Sequence, residues 1–384
     1  MKPIPYGRQN ITEQDIQAVI ETLQSDYLTQ GPKIEEFEKK FADYIGCNYA
    51  IAVANGTAAL HLSALALGVN QESKVISTPI TFAASTNCII YCGGTVDFVD
   101  IDPSSLLLDL HLLEKKLETA PVGTYQGIVA IDFAGMPVNL EKLRVIADKH
   151  QLWIIEDACH APGGYFTDSN GVKQFCGNGN FAELAVFSFH PVKHIACGEG
   201  GMITTNNKEL YDKIKILRTH GITKEENLLK ENHGGWYYEM QMLGYNYRLT
   251  DFQAALGLSQ LTRANEGLNQ RRKIARIYTE VFSNKPFIKD LSGYVEGHAY
   301  HLYIIEVDGR KELYNFLRSN NIFCQVHYIP IHILPYYQSL GWKKGDLPIA
   351  EKYYEHCLSL PMYPTLSAEQ QSFVIDMIKN FYGG

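Results

Sequence analysis

The sequence predicts an α/β protein: a mostly parallel central sheet followed by a smaller C-terminal α/β unit. Three observations carry that expectation. Several short runs are apolar throughout rather than alternating, as strands covered on both faces require. They alternate with stretches of helical period, which implies right-handed crossovers between parallel strands. At 384 residues the chain exceeds what one hydrophobic core usually covers.

The elements follow in order. Thr12-Glu13-Gln14-Asp15 has the pattern of a capping box, and Ile16, Val19, Ile20 and Leu23 continue it at helical spacing. After the turn at Gln30-Gly31-Pro32, a second helix carries Phe37, Phe41 and Tyr44. Strands are then expected at 49–54, 75–78, 96–99, 128–133, 152–155, 184–189 and 202–205, with helices at 57–67, 82–91 and 140–150. From Leu249 a long helical stretch runs toward Phe282. Beyond it come a strand at 301–307, a helix at 311–319, a strand at 322–327 and helices at 349–357 and 368–381. The chain divides accordingly into a segment 1–30, a large unit 31–250, and a linking helix with a small unit over 251–384.

In such sheets ligands bind at the carboxyl ends of the strands. Asp157, in Glu156-Asp157-Ala158-Cys159-His160, and Ser188 both stand at expected strand ends. Lys193 follows in Ser188-Phe189-His190-Pro191-Val192-Lys193. A carboxylate after one strand and a lysine beyond the next are the parts that hold pyridoxal 5'-phosphate (PLP). The lysine forms a Schiff base with the aldehyde, and the aspartate keeps the pyridine nitrogen protonated. Asn55-Gly56-Thr57-Ala58 opens a helix after a strand and offers amides and a hydroxyl to a phosphate. Phe82 suits stacking on a flat ring, and His160 suits flanking the ring or its 3'-oxygen. Taken singly each has a plain structural reading: a helix cap for Asp157, a turn for Gly56, a core ring for Phe82, a loop lysine for Lys193. Their combination favours the site. Asn246 and Arg248 precede the long helix, where an amide donor and a guanidinium face either a ligand or a capped helix start at Thr250.

The same sequence excludes other classes. A net charge of −8 and a pI of about 5.9 argue against general nucleic-acid or anionic-membrane binding. No apolar run reaches the length of a membrane span, and the start Met1-Lys2-Pro3-Ile4-Pro5 lacks the apolar core of a secretory signal. The expected location is therefore the cytoplasm. Eight cysteines without C-x-x-C spacing read as free thiols. His190 and His194 invite a zinc reading, but Pro191 interrupts a helix through both and no glutamate lies between them, so no metal is expected.

With these motifs in view, the chain resembles the fold-type I PLP-dependent sugar aminotransferases of the DegT/DnrJ/EryC1/StrS family over essentially its whole length. N-G-T-A-A-L, E-D-A-C-H-A, S-F-H-P-V-K, G-E-G-G and G-Y-N-Y-R-L-T-D-F-Q-A-A-L-G-L-S-Q-L occur in family order. The resemblance implies that Lys193 carries the cofactor, Asp157 pairs with its ring nitrogen, and Phe82 stacks on it. It implies that Gly56, Thr57, Ala58 and Ser188 surround the phosphate, and that pyridoxamine phosphate (PMP) is the intermediate form. Asn246 would reach the phosphate of a neighbouring subunit, making the active unit a homodimer. Tyr27 to Gly31, Trp236 to Met240 and Gln325 to His332 are similar to the branch that aminates a UDP-linked 4-keto-6-deoxy-N-acetylhexosamine for pseudaminic acid, with L-glutamate as donor. Tyr6, Tyr27, Leu28, Thr29, Gln325, Val326, His327 and Tyr328 would then contact the nucleotide sugar. Aminotransferases for other nucleotide-linked 3- or 4-keto sugars, and PLP/PMP sugar dehydratases, are the alternatives. The dehydratase branch replaces the lysine by histidine, so Lys193 favours transamination. One departure stands out: Ala196 and Cys197 occupy the places of two threonines usual before G-E-G-G.

Overall fold

The computed structural model describes residues 2–290 and 293–383. Its centre is a seven-stranded sheet in the order Tyr49–Val53, Gly201–Thr205, Leu184–Ser188, Trp153–Asp157, Gly127–Ile131, Lys74–Ser77, Thr95–Phe98. Gly201–Thr205 is antiparallel to both of its neighbours, and every other pairing in the sheet is parallel.

The all-apolar strands are explained by burial on two sides. In Tyr49–Val53, Ile51 and Val53 enter the large core on one face while Ala50 and Ala52 enter a second core on the other. Leu184 and Val186 likewise face the first core and Phe187 the second. The second core is roofed by helices Pro32–Ile45 and Asp251–Leu261, where Phe37 and Phe41 meet Phe187 and Phe189. All four rings are fully buried, and each contributes about 1.5–3 kcal/mol of transfer free energy.

Helix starts are set where the sequence offers side-chain acceptors. Thr12 and Asp15, Thr250 and Gln253, and Ser367 and Gln370 form capping boxes, and Asn55 caps helix Gly56–Ala66. Helix Glu13–Leu23 is held to helix Asp251–Leu261 by the fully buried Asp15, which receives Ser259, Gln260 and Arg263.

Three expectations are corrected. The stretch from Leu249 to Phe282 is two helices, Asp251–Leu261 and Ala264–Phe282, interrupted at Thr262 and Arg263. The strand expected over 322–327 is reduced to Ile322–Phe323, which pairs in parallel with Ile4–Pro5. Gln325 then makes a single bridge to Ser359, and the chain turns to follow a cavity wall. The helix expected over 82–91 starts at Ala84, leaving Phe82 in the preceding turn. Strand Cys357–Leu360 and helices Leu110–Thr119 and Lys208–Leu217 were not expected.

Toward the C-terminal end, Ile288–Asp290, Tyr303–Val307 and Cys357–Leu360 form an antiparallel sheet backed by helices Ala264–Phe282 and Ala368–Phe381 around a third core. Ile331, Tyr337, Leu347 and Tyr353 instead join the core of the large sheet, so the chain crosses back over the sheet before it ends. No helix among the described residues is long and apolar enough to cross a membrane, and all eight cysteines are free thiols.

Candidate active site

At the carboxyl ends of the parallel strands lies a cavity of about 740 Å³. Trp153–Asp157 and Leu184–Ser188 are neighbours in the sheet, with Asp157 opposite Val186, so Asp157 and Ser188 reach the same wall. Helix Gly56–Ala66 starts beside them, and its first N–H groups have no acceptor within the helix. The turn that makes this helix start is pressed against the sheet. A Cβ on Gly201 would meet the Asn55 carbonyl oxygen at 2.5 Å, and one on Gly56 would meet Ser188 Cβ at 3.0 Å. Only glycine permits this approach.

Lys193 is delivered by a loop with a fixed base. Phe189 is wedged between Phe37 and Phe41, at ring distances of 5.1 and 5.5 Å. Cys197 N donates to Phe189 O at 2.9 Å, and Gly198 turns the chain with φ of +81°. Ala196 and Cys197 are buried, and Cys197 faces Gly257 and Phe37. Ala196 and Cys197, where the family resemblance leads one to expect threonines, are therefore core residues behind the loop, outside the cavity wall.

Burial lowers the Lys193 ammonium below the ordinary lysine range; Cys159 and Asp157 oppose the shift, and Arg271 adds to it. Among the described residues no carboxylate lies within ion-pair distance of its Nζ. Asp157 Oδ2 accepts from Ser85 Oγ at 2.6 Å and Oδ1 from Cys159 N at 3.2 Å. Ser85 in turn bonds Thr81 Oγ1 at 2.7 Å.

The opposite wall is aromatic and neutral. His160 Nδ1 accepts from Ala134 N at 3.2 Å, which places its proton on Nε2, facing Tyr328 Oη at 3.3 Å. His160 packs against His301 with ring centres 4.3 Å apart and the planes tilted by 35°. Burial holds His160 and His301 well below the ordinary histidine range and His327 down to about 3, so all three are neutral near pH 7. His327 Nδ1 pairs with Ser359 Oγ at 2.8 Å. Phe82 lies at the mouth, 61 % exposed, 6.3 Å from the ring of Tyr328.

Of the residues expected from sequence, Tyr6, Gly56, Thr57, Phe82, Asp157, His160, Ser188, Lys193, Gln325, Val326, His327 and Tyr328 line this one cavity. Ala58 does not; its N–H is taken by Asn55 Oδ1 at 2.8 Å. Asn246 bridges Thr219 and Thr29 bridges Thr250, and neither they nor Tyr27 and Leu28 line the cavity. Thr81, Ser85 and His301 are wall residues that the sequence reading missed. The spacing of Thr81 and Ser85, one helical turn beside Phe82, is the signal that was present; His301 had none.

An amine, a carboxylate and an anion-binding helix start converge here, which is the complement of a phosphorylated pyridine aldehyde, and the neutral rings between them suit its flat ring. Comparison with known proteins agrees. The profile of the DegT/DnrJ/EryC1/StrS aminotransferase family matches residues 9–379. The chain is 38 % identical over 390 residues to the Bacillus subtilis spore coat polysaccharide biosynthesis protein SpsC, covering 99 % of this chain and 97 % of that one. It is 35 % identical over 390 residues to the Campylobacter jejuni UDP-4-amino-4,6-dideoxy-N-acetyl-beta-L-altrosamine transaminase, covering 98 % and 96 %. Its fold superposes on the putative sugar aminotransferase Spr1654 of Streptococcus pneumoniae with a TM-score of 0.90 at 30 % identity, covering 98 % of each chain; that protein is solved in PMP and PLP forms. With cavity, family profile and full-length relatives in agreement, the chain belongs to the DegT/DnrJ/EryC1/StrS aminotransferase family, PLP-dependent sugar aminotransferases.

Proposed function

We propose that this enzyme moves an amino group from L-glutamate to C4 of a UDP-linked 4-keto-6-deoxy-N-acetylhexosamine, giving UDP-4-amino-4,6-dideoxy-N-acetyl-β-L-altrosamine for pseudaminic acid. The observation that carries the chemistry is the convergence of Lys193, Asp157 and the helix start at Gly56 on one cavity. The substrate reading is supported by the name of the Campylobacter relative.

When bound, PLP supplies an aldehyde that takes up the amino group and a protonated pyridine that withdraws electrons. Lys193 holds the cofactor covalently. As a neutral amine its Nζ would be the base that takes the proton from Cα of the amino donor, and in the opposite direction it would return a proton for the keto sugar. A lysine whose ammonium form is disfavoured by burial suits that base. Asp157 holds the proton on the ring nitrogen. Gly56, Thr57 and Ser188 bind the phosphate, with Ala58 behind them in the same turn. Phe82 and His160 flank the ring. Tyr6, Gln325, Val326, His327 and Tyr328 form the nucleotide-sugar wall.

Asn246, Tyr27, Leu28 and Thr29 lie off this chain's own cavity, and Tyr27 and Leu28 are about half exposed. In a homodimer they serve the neighbour's site, and on this reading the working unit is a cytoplasmic homodimer. The functional division is a segment 1–30, a cofactor-binding unit 31–250, and a linking helix with a small unit 251–384.

A second reading has specific support: the Bacillus relative, at 38 % identity, is named for spore coat polysaccharide biosynthesis. On that second reading the acceptor is another nucleotide-linked 3- or 4-keto sugar, for instance a dTDP-linked one. A single-turnover test on PMP-loaded protein with UDP- and dTDP-linked keto sugars separates the two. Return of the PLP absorbance with the UDP-linked 4-keto-6-deoxy-N-acetylhexosamine supports the first. Return only with a dTDP sugar retains the chemistry and moves the substrate. Return with none of them counts against amino transfer to these sugars.

A further inference from the structure

We propose that Thr81 and Ser85 form a one-way donor relay that positions Asp157, so that these two hydroxyls govern how firmly the carboxylate meets the cofactor's ring nitrogen. The proposal rests on the reading of Asp157 given above.

The direction of the relay follows from valence. An ionised aspartate only accepts, so the 2.6 Å contact is Ser85 Oγ–H donating to Asp157 Oδ2. That uses the only hydrogen on Ser85. The 2.7 Å contact between Thr81 and Ser85 therefore has Thr81 donating to Ser85 Oγ. Each link polarises the next, and a buried chain of this kind is stronger than its isolated bonds. All three residues are buried, at 2 %, 1 % and 6 % exposure, and all three belong to the cavity wall.

The hydroxyls are placed by a rigid local frame. Thr81 sits in the turn after strand Lys74–Ser77, and Ser85 sits in the first turn of helix Ala84–Tyr91, with its N–H on Phe82 O at 3.1 Å. The turn is tied to the far wall by Ile331 N donating to Pro79 O at 2.9 Å. Oδ1 is held independently by Cys159 N at 3.2 Å. The carboxylate is thus fixed at both oxygens, from two different segments. Phe82, the ring at the mouth, lies in the same turn as the relay. One short segment therefore supplies both the flat face and the support of the carboxylate.

The relay has a graded signature that a packing role lacks. Ser85→Ala removes a bond to a charged acceptor and is expected to lower kcat roughly tenfold, with KM for the keto sugar changed less than about twofold. Thr81→Val, nearly isosteric, is expected to lower kcat about threefold, because Thr81 acts only through Ser85. In the Ser85→Ala background Thr81→Val should add nothing. The cofactor dissociation constant, measured by equilibrium fluorescence without turnover, should rise in the same order. So should the displacement of the bound-cofactor absorbance band, which follows the ring nitrogen's protonation. Additive effects of the two substitutions, or single variants within twofold of wild type in both kcat and cofactor affinity, overturn the relay. Asp157→Asn, run in parallel, separates the failures. Loss of turnover in Asp157→Asn beside unaffected Thr81 and Ser85 variants removes the relay alone. Full turnover in Asp157→Asn removes the reading of Asp157 and the relay with it.

Discussion

Gly201→Ala tests the contact on which the turn proposed to bind the cofactor phosphate is built. Gly201 heads the strand that runs antiparallel to both of its neighbours in the large sheet and pairs with Val53 on one side and Ser188 on the other, so it cannot retreat. A Cβ there stands 2.5 Å from the Asn55 carbonyl oxygen, 2.6 Å from its carbon and 2.9 Å from Gly56 N. Ordinary contact begins near 3.4 Å, so the turn has to withdraw by roughly 0.9 Å, beyond what dispersion contacts absorb. Overpacking of this kind costs about 1–3 kcal/mol. If that cost falls on the turn in its cofactor-binding position, the PLP dissociation constant rises about 5- to 150-fold. The misplaced phosphate site also slows turnover, by up to about a hundredfold for a shift near 1 Å. The assay is equilibrium titration of apoprotein with PLP, paired with thermal unfolding of the apoprotein. Gly235→Ala is the control, because nothing lies within 4 Å of a Cβ at that position. A Gly201→Ala protein with PLP affinity within twofold of wild type would refute the reasoning, since the close approach would then carry no load.

Three further outcomes follow from named groups. Lys193→Ala is expected to abolish turnover with L-glutamate while its far-UV circular dichroism matches wild type; turnover at the wild-type rate would remove Lys193 from the chemistry. Asp15→Ala breaks a buried pair in which Arg263 Nη2 lies at 2.8 Å, and is expected to cost about 3 kcal/mol in denaturant unfolding. Burial raises the Asp15 carboxyl, but the bonds from Arg263, Ser259 and Thr12 outweigh it and hold the group below the ordinary aspartate range. Its stabilisation is therefore present above that ordinary range and is lost as pH falls through the depressed value. Asp15→Asn should flatten that acid limb, and an unchanged limb counts against the pair. Asp132 behaves oppositely: burial raises it to about 7, the Asp157 charge adding to the rise and bonds to Val138, Glu156 and Cys176 opposing it. A raised carboxyl gives stability that is complete below the unfolded value and declines as pH rises toward 7. Burial raises the neighbouring Glu156 in the same direction, so Asp132→Asn should make that decline shallower between about pH 4 and 7, measured as unfolding free energy against pH.

What was legible in the sequence was what local chemistry decides. Asp157 and Ser188 were read correctly as strand ends because the runs before them are apolar on both faces, and the structure buries both faces. Thr12 and Thr250 announced their helices by cap chemistry, whereas the helix expected from residue 57 starts one residue earlier and is capped by Asn55. What failed depended on distant partners. The pattern over 322–327 suits a strand, but only Ile322 and Phe323 find one, in Ile4 and Pro5 more than three hundred residues away in sequence. The helix from Leu249 breaks at Arg263, whose guanidinium turns to Asp15; nothing near Arg263 in sequence reveals that acceptor. His301 enters the wall because the segment around it is clamped from behind, with Arg271 Nη1 donating to Tyr300 O, His301 O and Met362 O. Such a clamp is invisible to spacing.

The charge balance of the cavity bears on the dimer reading. Among the described residues lining it, Lys193 is the only lysine or arginine, and His160, His301 and His327 are held neutral by burial. Asp157 and Glu199 are also on the wall. A nucleotide sugar brings a diphosphate and L-glutamate brings two carboxylates, while the helix start at Gly56 is committed to the cofactor phosphate on the proposed reading. One chain therefore offers hydroxyl, amide and aromatic recognition but too little positive charge for the proposed substrates. The segment carrying Asn246 and Arg248 lies outside the cavity and leads into Thr250 and Asp251, which bridge Thr29 and bond the carbonyl of the exposed Leu28. A second copy that presents this segment to the mouth supplies a guanidinium where the first chain has none, which is the physical reason to expect activity to fall as the protein is diluted toward monomer.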